Sequence, residues 1–167
     1  VKVIAARLDH PMTRDEAWRE FATLNPVLAD AHLSVGFAGR RGDVKAHLAA
    51  GRRLFPFEVI ATPSGELTIR AALGGGATPL QGARILQIDG RDARAVMGKV
   101  LARMHGETAG LRANLASSRF APMYWKLYGE PEAFDLVLLQ GGRRQVLRVP
   151  GSRDLPAAIA AEADFSR

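Results

Sequence analysis

The chain has 167 residues, of which 47% are apolar, and none is cysteine, which excludes disulfides, thiolate metal sites and a cysteine nucleophile. That length fits one medium domain or one small domain with an appendage, and no apolar run reaches the roughly 18 residues of a membrane-spanning helix. The formal net charge is +6, but the basic residues stand singly or in the pairs Arg40-Arg41, Arg52-Arg53 and Arg143-Arg144, without interleaved aromatics, so we expect a solvated Arg- and Ala-rich surface and no nucleic-acid partner.

The chain opens on Val1 rather than Met and shows no basic-then-apolar leader. This points to a processed or engineered amino terminus, from which an export signal could have been removed. Val1–Leu8 reads as a strand or a loose lead-in. Thr13 with Glu16 three residues on has the spacing of a capping box, and a helix follows with Trp18, Phe21 and Leu24 on one face. Asn25-Pro26 ends or kinks it. The alternation of Leu33, Val35 and Phe37 predicts a half-buried strand. Asp43 caps a short helix through Leu48, which Gly51 stops.

Beyond Arg52-Arg53 the texture turns strand-rich. Leu54–Ala61 and Glu66–Ala71 read as strands around the turn Pro63-Ser64-Gly65, and Gly74-Gly75-Gly76 reads as a flexible connection. Ala83–Ile88 is a strand that reverses at Asp89-Gly90, followed by a helix from about Asp92 to Met104. A second helical stretch, Glu107–Tyr128, is expected to break near Pro122. Phe134–Gln140 and Arg143–Val149 flank Gly141-Gly142, the clearest hairpin in the chain, because a two-residue turn of this kind needs positive φ.

Three constellations carry functional information. The run from Gly82 to Gly90 holds a G-x-x-I-x-x-I-x-G pattern through Ile85 and Ile88, and it resembles the G-D-x-I-x-x-I-D-G signature of bacterial PDZ domains, with Ala83 at the usual Asp. Upstream, Leu54-Phe55-Pro56-Phe57 takes the place of the hydrophobic loop that in PDZ domains holds a peptide's terminal carboxylate, and Glu58-Val59-Ile60-Ala61 that of the strand to which the peptide adds. Pro56 brings no N–H to that loop. Phe55 and Phe57 read equally as groove or as core. Further upstream, Asp30-Ala31-His32-Leu33 resembles the Asp-x-His-Thr segment of tail-specific and tricorn-like peptidases, with Leu33 at the Thr. There a His assists the nucleophilic Ser, as a group titrating near neutrality can. His32 reads either in that role or as a structural partner of Asp30.

In order and at these intervals, the three segments resemble the tail-specific (C-terminal-processing, tricorn-like) serine peptidases over roughly Thr13 to Val149. The resemblance implies an α+β fold: a small helical segment over 1–51, a PDZ-like partly open β-barrel with flanking helices over 52–150, and a linker over 151–167 toward a missing catalytic core. It implies a peptide-binding and gating part of an exported, periplasmic bacterial serine endopeptidase. In this part Leu54, Phe55, Phe57, Glu58, Val59 and Ile60 would receive a carboxyl-terminal tail, and His32 would serve catalysis in the full-length protein. The core would supply Ser with Lys, or Ser with His and Glu. Within the chain there is no G-x-S-x-G elbow, and Ser117-Ser118 stands in a helical context without a paired base, so the chain itself is expected to be inactive. The alternative is a free-standing PDZ-like adaptor. The four His residues lack metal-ligand spacing and the Gly triplet lacks a phosphate-loop pattern, so neither metal nor cofactor is expected.

Overall fold

A computed structural model describes residues 10–37 and 40–161; the lead-in expected over Val1–Leu8 lies outside them. The first helix, α1 (Arg14–Phe21), begins at the capping box read from the sequence. The Thr13 hydroxyl accepts from the Glu16 N–H, and the Glu16 carboxylate accepts from the Thr13 N–H at 2.8 Å. A 3-10 turn (Ala22–Leu24) leads directly into α2 (Asn25–Leu28), which has Pro26 in its first turn. The first α-helix thus ends at Phe21, ahead of Asn25-Pro26, and the 3-10 turn carries the chain into a new helix whose first turn accepts Pro26, where its missing N–H has no partner to lose.

The buried face of this run differs from the expected one. Trp18, Ala22 and Asn25 point inward, whereas Phe21 is 40% exposed. The predicted strand at Leu33–Phe37 is likewise absent, and the segment carries no regular structure. Its main-chain groups pair with a side chain instead of a neighbouring strand. Asn25 Oδ1 accepts from the Val35 N–H at 2.7 Å, and its amide donates to the Val35 carbonyl and to the Arg103 carbonyl. Helix α3 (Arg40–Ala49) then ends as Gly51 takes φ 78°, with the Gly51 N–H on Leu48 and the Arg52 N–H on His47. That pair of bonds is the Schellman pattern.

The sheet is antiparallel and open, in the order β1 (Phe57–Ala61), β2 (Leu67–Ala72), β3 (Arg84–Ile88), β5 (Ala133–Gln140), β6 (Arg143–Pro150), with β4 (Arg91–Asp92) paired to β3. β1 and β6 are thus its two edges. The Asp89-Gly90 reversal has positive φ at both residues. Asp89 holds it in place: Oδ1 accepts from the Asp135 N–H, and Oδ2 accepts from the Tyr124 hydroxyl at 2.6 Å. Burial and that hydrogen bond push the Tyr124 hydroxyl well above its ordinary pKa. The β5–β6 hairpin turns on Gly141 and Gly142, at φ 55° and 76°, as its sequence predicts.

Helix α4 (Ala93–Leu101) starts at Asp92, whose carboxylate accepts from the Ala95 N–H. Helix α5 runs unbroken from Ala109 to Tyr128, so Pro122 does not interrupt it. A proline inside a helix costs about 3 kcal/mol. Here Phe120, Ala121, Met123 and Tyr124 flank it at 1–4% exposure, and burying one large side chain returns roughly 1.5–3 kcal/mol. A last short helix, α6 (Ala157–Ala161), follows an isolated bridge between Leu54 and Ser152, and its Ile159 is fully buried. The fold is therefore α+β, an open antiparallel sheet with flanking helices, as the PDZ-like reading implies. One hydrophobic cluster extends from Trp18 through the sheet to Ile159.

The helical segment is fastened to α5 by a buried ammonium. Lys126 is 5% exposed and donates to Asp15 at 2.5 Å. Asp43 is 3.4 Å away and is also held by Arg14. The same ammonium lies 4.0 Å from the Trp125 ring and 4.8 Å from that of Phe37, so two carboxylates and two aromatic faces offset its desolvation.

Candidate functional site

The β1 edge is where sequence and structure converge. Of the six residues read as a peptide-receiving surface, five are buried: Leu54 and Phe55 are each 1% exposed, Val59 3%, Phe57 and Glu58 5%. Phe55 is the hub of an aromatic cluster, with ring centroids 5.0 Å from Phe120, 5.2 Å from Phe134, 5.8 Å from Tyr124 and 6.0 Å from Phe57. Between the two readings left open by the sequence, the packing of Phe55 and Phe57 is that of core residues. Ile60 alone of the six faces solvent, at 51% exposure.

The loop before β1 has few free donors. The Leu54 N–H is bound to the Ser152 carbonyl at 2.8 Å, and Pro56 has none to give; the Pro56 carbonyl accepts from Leu73. The Glu58 carboxylate is bonded within the chain. Its Oε1 accepts from the Ala157 N–H at 2.8 Å and from the Gly74 N–H at 3.1 Å. The carboxylate thereby ties the strand to the glycine loop and to the start of α6, and main-chain donors meet its buried charge.

Along the β1 edge runs α5, and between them lies a cleft of ≈ 180 Å³ lined by Glu58, Val59, Ile60, Arg70, Asn114, Ser117 and Ser118. The edge is partly closed. The Ala61 N–H donates to Ser117 Oγ at 2.8 Å, and Ser117 Oγ donates to the Ala113 carbonyl at 2.8 Å. The Thr62 N–H is bonded to Glu66 on the β2 side, so strand alternation turns the main chain of Val59 the same way as that of Ala61, toward the cleft. Ser118 Oγ donates to the Leu115 carbonyl. Neither hydroxyl donates to a titratable side chain, so neither is arranged as an activated nucleophile.

His32 lies outside this cleft, exposed in the segment after α2. Asp30 does not orient its ring. Asp30 Oδ1 accepts from the main-chain N–H of His32 at 2.6 Å and from that of Leu33 at 2.8 Å, and these two bonds hold the Asp30 carboxyl below its ordinary pKa. A second histidine, His105, was not singled out by any sequence pattern. It lines a separate pocket of ≈ 170 Å³ with Trp18, Asn25, Phe37, Arg103 and Met123. Burial and the neighbouring Arg119 lower its pKa, which favours the neutral ring. Among the described residues no group of three His, Cys, Asp or Glu side chains could hold a metal ion, and no helix is long and apolar enough to cross a membrane.

No protein-family model matches the chain, and a search of curated proteins finds no significant relative. Among solved structures, a photosystem II D1 C-terminal processing protease is similar at 16% identity with a TM-score of 0.46. The match covers 93% of this chain and 38% of that one, so the chain spans less than half of the protein it resembles. At that score and identity the likeness assigns neither family nor activity.

Proposed function

We propose that this chain is the PDZ-like, peptide-binding and gating part of an exported bacterial tail-specific serine peptidase, non-catalytic by itself. Hydrolysis would take place on a core elsewhere in the same protein, toward which 151–167 would lead. The observation that carries the reading is the β1 edge, whose main chain at Val59 faces a cleft along α5. An extended tail laid there gains main-chain hydrogen bonds from the strand and side-chain contacts from Ile60 and the helix. The motifs at Gly82–Gly90 and Asp30–Leu33 support the same reading. The exposed position of His32 suits a residue that acts toward a further domain.

The test is a titration of the labelled chain with apolar carboxyl-terminal peptides, followed amide by amide. Shifts confined to Glu58–Ala61 and the facing turns of α5 are expected, with weaker binding when the peptide terminus is amidated. Unmoved amides in this strand at millimolar peptide would refute the proposal. The chain alone should not cleave casein or a tailed reporter.

A further inference from the structure

We infer that the β1–α5 cleft selects an extended peptide carrying an acidic side chain, and that Arg70 is the residue that reads it. The inference rests on the peptide-binding reading above and names the chemistry that site prefers.

Arg70 lies on β2 beside the irregularity at Glu58/Val59, lines the cleft and is exposed. Among the described residues no carboxylate or carbonyl takes up its guanidinium. The surrounding charges are committed elsewhere. Glu58 is buried, and its carboxylate accepts two main-chain amides. Glu66, which immediately precedes β2, is held by Arg94 at 2.5 Å and approached by Arg84 at 3.5 Å.

A second depression, of ≈ 270 Å³ and lined by Glu66, Arg84 and Arg94, has its arginines neutralised by Glu66; among the described residues no carboxylate does the same for Arg70. Asn114, which lines the same cleft, presents a carboxamide with no hydrogen bond to the described residues. A planar cation with five donors, flanked by an amide, matches a carboxylate better than a neutral or basic group.

The carboxylate is assigned to a side chain because of where Arg70 sits. It stands beside the body of β1 rather than beyond its end. A peptide paired along Val59 and Ala61 continues past it, and only a side chain of that peptide can turn to meet it.

The experiment uses two pools of octapeptides, random but free of Asp and Glu except at one fixed position. That position is Glu in one pool and Gln in the other, and both pools are made with free and amidated termini. They are captured competitively by the immobilised chain and counted by mass spectrometry. We expect the Glu pool to be enriched about 3–10-fold, less at high salt, whether or not the terminus is amidated. Arg70→Gln should bring the ratio to about one. Arg70→Glu should favour a third pool with Lys at the fixed position. Because Arg70 is exposed, both variants should fold, which a melt verifies. Equal capture of Glu and Gln pools by the unmodified chain overturns the inference and leaves peptide binding standing. Equal capture of both pools with free termini that is lost for both on amidation assigns the carboxylate to the terminus and overturns the side-chain reading. Capture of no pool overturns the peptide-binding reading and the inference with it.

Discussion

Replacing Phe55 with alanine separates a core residue from a groove residue. The Phe55 ring is 1% exposed and meets four other aromatic rings at 5.0–6.0 Å between centroids. A buried Phe→Ala change typically costs about 3–5 kcal/mol, through lost transfer energy and the cavity left behind. Collapse here is restrained on several sides, because Phe57 belongs to the β1 edge, Phe120 and Tyr124 to α5, and Phe134 to β5. The expectation therefore lies toward the upper part of that range. For a chain of this length 1 kcal/mol moves the melting temperature by about 2–4 °C, so a drop of roughly 6–20 °C should appear in a thermal melt. Peptide affinity, measured well below the new transition, should change little. A melt within about 2 °C of the unmodified chain, together with lost peptide binding, would refute the core assignment and return Phe55 to the groove.

Two further outcomes follow from the interactions described above. Ser117→Ala removes the hydroxyl that occupies the Ala61 N–H; hydrogen exchange at that amide should quicken and peptide affinity should rise, since a ligand carbonyl no longer competes with the helix, and an unchanged exchange rate would count against the contact. For the Lys126 cluster, burial works to raise the Asp15 carboxyl, but the hydrogen bond and charge of Lys126, with Arg14, outweigh it and hold that pKa below its ordinary value. A depressed folded pKa stabilises above the unfolded value of about 3.9 and is lost as pH falls through the folded one. Melting temperature should thus decline below about pH 4, and less steeply in Lys126→Met, which should itself melt lower at pH 7 because removing one partner leaves the Asp15 and Asp43 carboxylates without their cation. The same acid slope in both proteins would show that the cluster is not its source.

Local chemistry was legible in the chain. The capping box at Thr13 and Glu16, the stop at Gly51, the Asp89-Gly90 and Gly141-Gly142 reversals and the strands between them all rest on bonds or φ angles set within a few residues. Together with the resemblance they carry, those elements lead to an α+β fold, expected as a PDZ-like partly open β-barrel with flanking helices, and the sheet is open. The departures arose where distant partners outweigh local preference. Pro122 sits inside a continuous helix because the side chains around it are buried against the sheet. Leu33–Phe37 is no strand because Asn25, ten residues before Val35, takes its main-chain bonds.

The candidate site divides in the same way. The β1 strand could be found from its own residues, but not its role as an edge, the closing of that edge by Ser117, or the open guanidinium of Arg70. A helix some fifty residues later in the chain supplies Asn114 and Ser117. No spacing within either segment encodes that approach; it follows from Phe55, Phe120 and Tyr124 burying their rings together, which sets α5 against β1.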